Sequence, residues 1–196
     1  MRLYHVAGTR STRVLWLLEE IGAPFELTVM TREEEQTPEH LARHPLGRVP
    51  VIEDDAGFVF ESVGICFHLA DLHPKAGLTP PPGMHERALV YHWTLFATTE
   101  LEPAVAEVYY QRESDPQRAA AGAERFRAGA GAVEQDLAGR EYLAGGRFSV
   151  ADVVCGAALG FARALGLTDG TPNVQAYVDR LDARPAQQRA NAVRPS

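Results

Sequence analysis

HPLGRVPVI, residues 44–52, is the stretch on which the reading of this chain turns. Val49-Pro50-Val51 sets a proline at the start of an apolar run. Proline donates no ladder hydrogen bond, so it belongs at the edge or first position of a strand. X-Pro is also the linkage at which a cis bond is cheap, and a fixed cis bond is a structural device. A cis Val49–Pro50 bond would turn the backbone N–H and C=O of Val49 toward solvent, where an extended peptide ligand could pair with them as an added strand. The alternative is an ordinary loop-to-strand proline, and this stretch alone does not choose between the two.

Working outward, residues 3–6 read as a strand, and residues 11–21 carry apolar side chains at helical spacing with Gly22 as the helix stop. Residues 25–30 alternate as a second strand, which makes a parallel βαβ unit. A short helix is expected at 38–43. Residues 49–53 and 58–60 flank DDAG, a turn signal, and form a hairpin. Residues 62–72 return to helical spacing. HPKAGLTPPPG, residues 73–83, reads as a linker. Beyond it only helical patterns occur, over 84–112, 116–137, 150–165 and 173–182. The glycines of RAAAGAERFRAGAGAVEQ weaken the second of these helices somewhat. The expected organisation is an α/β domain of order βαβαββα over 1–75, a linker over 76–83 and an all-helical domain over 84–196.

Composition narrows the function. With 45% apolar and 23% charged residues the chain is that of a soluble globular protein, and its net charge of −7 argues against nonspecific binding to nucleic acid or an anionic membrane. No apolar run is long enough to span a bilayer. The N-terminus does not read as a signal peptide, and Cys66 and Cys155 lie in apolar contexts as buried thiols, so a cytoplasmic protein is expected.

Two further segments carry chemistry. In AGTRSTR, residues 7–13, the hydroxyls of Thr9 and Ser11 and the guanidinium of Arg10 stand between a strand and a helix start, where an anion or thiolate is favoured. Glu61-Ser62 opens the next helix: Ser62 suits a carboxylate at a helix N-terminus, and Glu61 suits an ammonium. His40 and His44 are spaced i, i+4, but with no third ligand nearby no metal is expected.

Together, LYHVAGTRSTRVLWLLEE, HPLGRVPVI and FESVGICFHLADL, in that order, resemble the N-terminal domain of the glutathione S-transferase family. GRFSVADVVCGAAL resembles the family's buried capping box, with Ser149 as cap and Asp152 reaching back. YVDRLDARPAQQRA resembles its C-terminal signature. The resemblance implies a thioredoxin-like domain followed by a helical bundle, usually a homodimer, with glutathione as co-substrate. It implies that Val49 pairs with the cysteinyl backbone of glutathione ahead of a cis Pro50, that Glu61 and Ser62 hold the γ-glutamyl end, and that Arg48 and His44 reach the glycyl carboxylate. A small hydrophobic electrophile would lie over the helical domain, against Tyr91, Phe96, Tyr109 or Tyr110. Ser11 is the expected thiolate donor, with Thr9 second and Tyr4 a weaker choice. Arg10 falls where the bacterial beta-like classes carry cysteine, and Glu102 where they carry histidine, so cysteine-based chemistry is not expected. TRSTR also departs from the serine-serine-cysteine turn of the isomerases. The rivals are isomerase, peroxidase or dehalogenase chemistry on the same fold, or a non-catalytic interaction protein. Because the chain stops soon after ARPAQQRA, no long C-terminal lid is expected.

Overall fold

The computed structural model describes residues 1–194. The sheet is built around β1 (Arg2–His5), with β2 (Glu26–Val29), β3 (Val51–Asp54) and β4 (Gly57–Phe60), in the order β2-β1-β3-β4. β1 runs parallel to β2, with Leu3 opposite Leu27, and antiparallel to β3, with Leu3 opposite Ile52. β3 and β4 are antiparallel, and the Asp54 carboxylate closes their turn by accepting from the Ala56 N–H at 2.8 Å. The crossover from β1 to β2 is α1 (Ser11–Ile21), which ends in a left-handed Gly22 whose N–H bonds the Leu18 carbonyl at 3.0 Å. α2 (Pro38–Arg43) starts on the Thr37 side chain, and α3 (Ser62–Leu72) follows β4 directly. Tyr4, Val6, Met30 and Val51 form an apolar cluster, with Val49 packed against it. The βαβαββα order expected from the residue pattern is the order observed, and it matches the thioredoxin-like domain that the resemblance implies.

The helical part comprises α4 (His85–Phe96), α5 (Glu102–Gln111), α6 (Pro116–Asp136), the single turn α7 (Leu143–Gly146), α8 (Val150–Ala164) and α9 (Pro172–Asp182). The expected helix over 84–112 is continuous but changes pitch: Ala97–Leu101 is π-helical. Pro103 lies in the first turn of α5 and has no N–H to continue the α ladder, which accounts for the shift. Two of the three glycines of α6, read from sequence as a weakness, are close-packing positions, whereas a Cβ at Gly131 would meet nothing. A Cβ at Gly122 would sit 3.0 Å from the Ala104 carbonyl oxygen, and one at Gly129 would sit 2.8 Å from a Leu101 methyl. They let α6 approach α5 and the π-turn.

Both halves of the capping box form at α8. Ser149 Oγ accepts from the Ala151 N–H, and Asp152 Oδ2 accepts from the Ser149 N–H at 2.8 Å. Asp152 also accepts from the Leu143 N–H and the Tyr177 hydroxyl, each at 2.9 Å, and is fully buried.

The chain divides into two units, Met1–Gly77 together with the segment beginning at Ala183, and Leu78–Asp182. This differs from the expected helical domain, which ran to the end of the chain. The final helix, α10 (Pro185–Ala192), packs on α1 of the first unit. Arg184 forms a forked pair with Glu20 at 2.6 and 2.8 Å, and Arg189 Nε bonds Glu19 at 2.6 Å. PAQQRANA has little apolar periodicity, so its helix is stabilised through these contacts with α1 and not by a strong pattern of its own.

Candidate functional site

The turn between β1 and α1 is held by a chain of polar groups. Ser11, expected to present its hydroxyl outward, is fully buried. Its Oγ lies 2.7 Å from His5 Nδ1 and 2.7 Å from Thr9 Oγ1, and it accepts from the Val6 N–H at 3.1 Å. The Val6 carbonyl lies 3.1 Å away as a further acceptor, so four partners share one proton and two lone pairs, and the hydroxyl is fully used. Ser11 therefore holds the turn from within. Thr9 is half-buried at the mouth of the same turn. Its Oγ1 donates to the Val6 carbonyl at 2.8 Å and accepts from the Ser11 N–H at 3.1 Å. Arg10, exposed, takes the N-cap position of α1 without a side-chain cap. Of the two hydroxyls named from sequence, Thr9 is the more accessible. Tyr4 is 3% exposed and donates to Glu53 at 2.6 Å, so its hydroxyl is engaged away from this turn.

His5 was not singled out in the sequence. The available signal was a polar residue within the apolar strand LYHV. Its ring is fully buried, and burial lowers its pKa, so it is neutral.

The segment before β3 brings several expected residues together. The Val49–Pro50 bond is cis. Val49 is half-buried, its side chain against the Tyr4 cluster and its backbone just ahead of β3. Arg48 is exposed, and its carbonyl meets His40 Nε2 at 3.0 Å. His44 is 5% exposed, packs at a tilt against Phe60 with ring centres 4.7 Å apart, and accepts from the Leu46 N–H at Nδ1 (3.0 Å). That bond fixes the ring proton on Nε2, leaving a donor for a ligand. Burial lowers the His44 pKa, opposed by the Glu61 charge and reinforced by His40 and Arg48. The rings of His40 and His44 are thus each held by backbone groups.

Glu61 has the most telling backbone. It sits at φ 72°, ψ 106°, in the N-cap position of α3, with no side-chain cap bond and its carboxylate exposed. A non-glycine residue in that region is strained by about 1–3 kcal/mol, and such strain persists where the surroundings impose it. Ser62, 5% exposed, opens α3 beside it. Cys66 is buried, which pushes its thiol up to about 12 and leaves it unreactive.

In the helical unit, Tyr109 and Tyr110 lie on α5, 39% and 73% exposed. Tyr109 packs edge-on to Phe161 of α8 at 5.3 Å and to Tyr110 at 5.1 Å. Phe161, not named from sequence, completes this exposed aromatic cluster. Tyr110 also lines a groove of about 370 Å³ with Glu107, Arg118 and Arg125, in which Glu107 pairs with both arginines. Phe96 is half-buried, edge-on to Trp93 at 5.5 Å and packed over Gly129. Tyr91 accepts from Arg87 Nε at 2.9 Å. The structure thus groups Tyr109 with Tyr110 and places Phe96 and Tyr91 in other contacts. No helix among the described residues is long and apolar enough to cross a membrane.

Comparison with known proteins agrees with this architecture. Residues 1–71 match the model of the glutathione S-transferase N-terminal domain, and residues 116–180 that of its C-terminal domain. The chain is 31% identical to a probable glutathione S-transferase, GSTF2, of Oryza sativa subsp. japonica, over 100% of this chain and 98% of that protein. It is 32% identical to glutathione S-transferase 4 of Zea mays, over 94% and 88%. A sphingomonad glutathione S-transferase, solved in complex with glutathione, superposes with a TM-score of 0.87 at 30% identity, covering 97% of each chain. On these matches, which span both halves of the sequence, the chain belongs to the glutathione S-transferase family.

Proposed function

We propose that this protein activates the thiol of glutathione and adds it to an electrophilic carbon of a small hydrophobic compound. The observation that carries the reading is Glu61, an exposed carboxylate held at a strained backbone angle directly before Ser62 and the N-terminus of α3. Carboxylate, hydroxyl and helix N-terminus suit the ammonium and carboxylate of a γ-glutamyl group. The related sphingomonad enzyme, solved with glutathione, supports the same ligand here.

In this reading the Val49 backbone pairs with the cysteinyl residue of glutathione, and Arg48 with the Nε2–H of His44 takes the glycyl carboxylate. The thiol then lies at the Thr9 turn. A free thiol titrates near ~8.5, so only a few per cent is ionised at neutral pH. The Thr9 proton and the N-terminus of α1 favour the thiolate and lower that value. The thiol proton passes to solvent, and the sulfur lone pair forms a C–S bond as the electrophile's leaving group or π-electron pair is displaced. In this reading Thr9 takes the donor role that sequence spacing gave first to Ser11, because Ser11 is fully buried and Thr9 only half-buried, and because the Thr9 proton rests on a carbonyl whose place a thiolate can take. Tyr109, Tyr110 and Phe161 offer the apolar surface for an electrophile. Cytoplasmic location and a homodimer, as is usual for the family, complete the reading.

Calorimetry with glutathione tests it. The wild type should bind, and Glu61→Ala should lose most of the affinity; a wild type that binds no glutathione would overturn the reading. Thr9→Val should raise the pKa of the bound thiol toward ~8.5, followed by its thiolate absorbance against pH. Ser11→Ala should instead lower stability by about 1–3 kcal/mol, because it orphans the buried partners of Oγ.

A further inference from the structure

The hydroxyl chain in the β1–α1 turn has a direction, and His5 sets it. Three short contacts run in series: His5 Nδ1 to Ser11 Oγ at 2.7 Å, Ser11 Oγ to Thr9 Oγ1 at 2.7 Å, and Thr9 Oγ1 to the Val6 carbonyl at 2.8 Å. Each needs one proton. The carbonyl can supply none, and the two hydroxyls supply one each. The third must come from the imidazole, so the proton of the neutral ring sits on Nδ1. The opposite tautomer would leave one 2.7–2.8 Å contact with lone pairs facing each other. It would also place an N–H at Nε2, which is buried and has no partner among the described residues. With Nδ1 protonated, that atom is a bare lone pair and the three shortest contacts each have a proton; the longer approach of Ser11 Oγ to the Val6 carbonyl, 3.1 Å, has none, because the Ser11 proton serves Thr9. The remaining acceptor sites are filled as well, Ser11 by the Val6 N–H and Thr9 by the Ser11 N–H.

The geometry points to His5 as a positioning residue that polarises Ser11 and, through it, Thr9, so that the Thr9 proton is the one presented at the mouth of the turn. In the resting protein that proton rests on the Val6 carbonyl. A thiolate arriving at the turn takes it in the carbonyl's place, and no proton leaves the chain. Successive donation strengthens the terminal donor, since each bond polarises the next. The inference rests on the reading above, in which Thr9 faces the sulfur of glutathione.

The experiment joins a direct signature to a variant series. In ¹⁵N-labelled wild type, the His5 ring should show its proton on Nδ1; a proton on Nε2 overturns the proposal without any mutation. His5→Phe should raise the apparent pKa of bound glutathione by about one unit and lower kcat near neutral pH by about tenfold, with KM for glutathione unchanged. His5→Asn places an amide donor near the Nδ1 position and should restore most of that loss, which a purely packing role would not allow. A His5→Phe enzyme that binds glutathione with wild-type thiol pKa overturns the inference. If Thr9→Val raises the thiol pKa while His5→Phe does not, only the role of His5 is lost. If Thr9→Val is also silent, the donor assignment itself falls.

Discussion

At the scale of single residues, this protein separates holding a turn from presenting a group. Ser11 and Thr9 stand two positions apart, yet Ser11 is fully buried and Thr9 only half-buried, although both hydroxyls are engaged within the turn. Spacing alone made Ser11 the natural choice, because a helix start favours a hydroxyl; the direction of its Oγ depends on the partner at His5. Glu61 shows the converse, a residue legible from the ES pair whose strain appears only in the backbone angles. Glu61→Gly should relieve that strain. Set against Glu61→Ala, which keeps it, the glycine variant should unfold at a higher denaturant concentration, by the equivalent of about 1 kcal/mol, while both lose glutathione. Equal stability of the two would mean that φ 72° costs nothing.

At the scale of elements, most boundaries followed from apolar period and stop signals, and several features did not. The π-turn at Ala97–Leu101 answers to Pro103, and the closeness of α6 to α5 answers to Gly122 and Gly129. α10 is stabilised by ion pairs with α1 that no local pattern reveals. The start of α8 is the element most exposed to a single change. Asp152 gathers four donors on one buried carboxylate: two backbone N–H groups, the Ser149 hydroxyl and the Tyr177 hydroxyl. Asp152→Ala should cost about 3 kcal/mol or more, a large part of the ~5–15 kcal/mol by which a protein of this kind is stable. Asp152→Asn should rescue only partly, because its NH₂ must face an N–H donor. The midpoint of urea unfolding measures both.

At the scale of the whole molecule, the buried titratable groups act in opposition. Burial lowers the pKa values of His5 and His44. As pH falls below ~6.5 the unfolded chain takes protons that the folded chain refuses, so each histidine removes up to about 1.4 kcal/mol of stability per pH unit. Burial of Asp152 pushes its carboxyl up to about 6, over the pull of its donors. Between that value and the unfolded ~3.9 the folded state holds the extra proton, so this group stabilises on acidification. The histidines start first and are two against one. Thermal unfolding should therefore move to lower temperature between about pH 7.5 and about pH 5.5, and His44→Gln should flatten that shift. An unchanged slope in the variant would show that His44 titrates as it does in water.

The sequence by itself determined the βαβαββα order, the VP and ES segments and the capping box, because apolar period, proline and cap chemistry act over a few neighbouring residues. It could not determine which hydroxyl of AGTRSTR is buried, that α7 and α10 form, where α10 rests, or that Phe161 joins Tyr109. Those depend on groups distant along the chain, or on the far side of a strand, being brought to within hydrogen-bond or ring-contact distance. Only the tertiary structure sets such distances, and in the turn between β1 and α1 it buries Ser11 fully and leaves Thr9 half-buried.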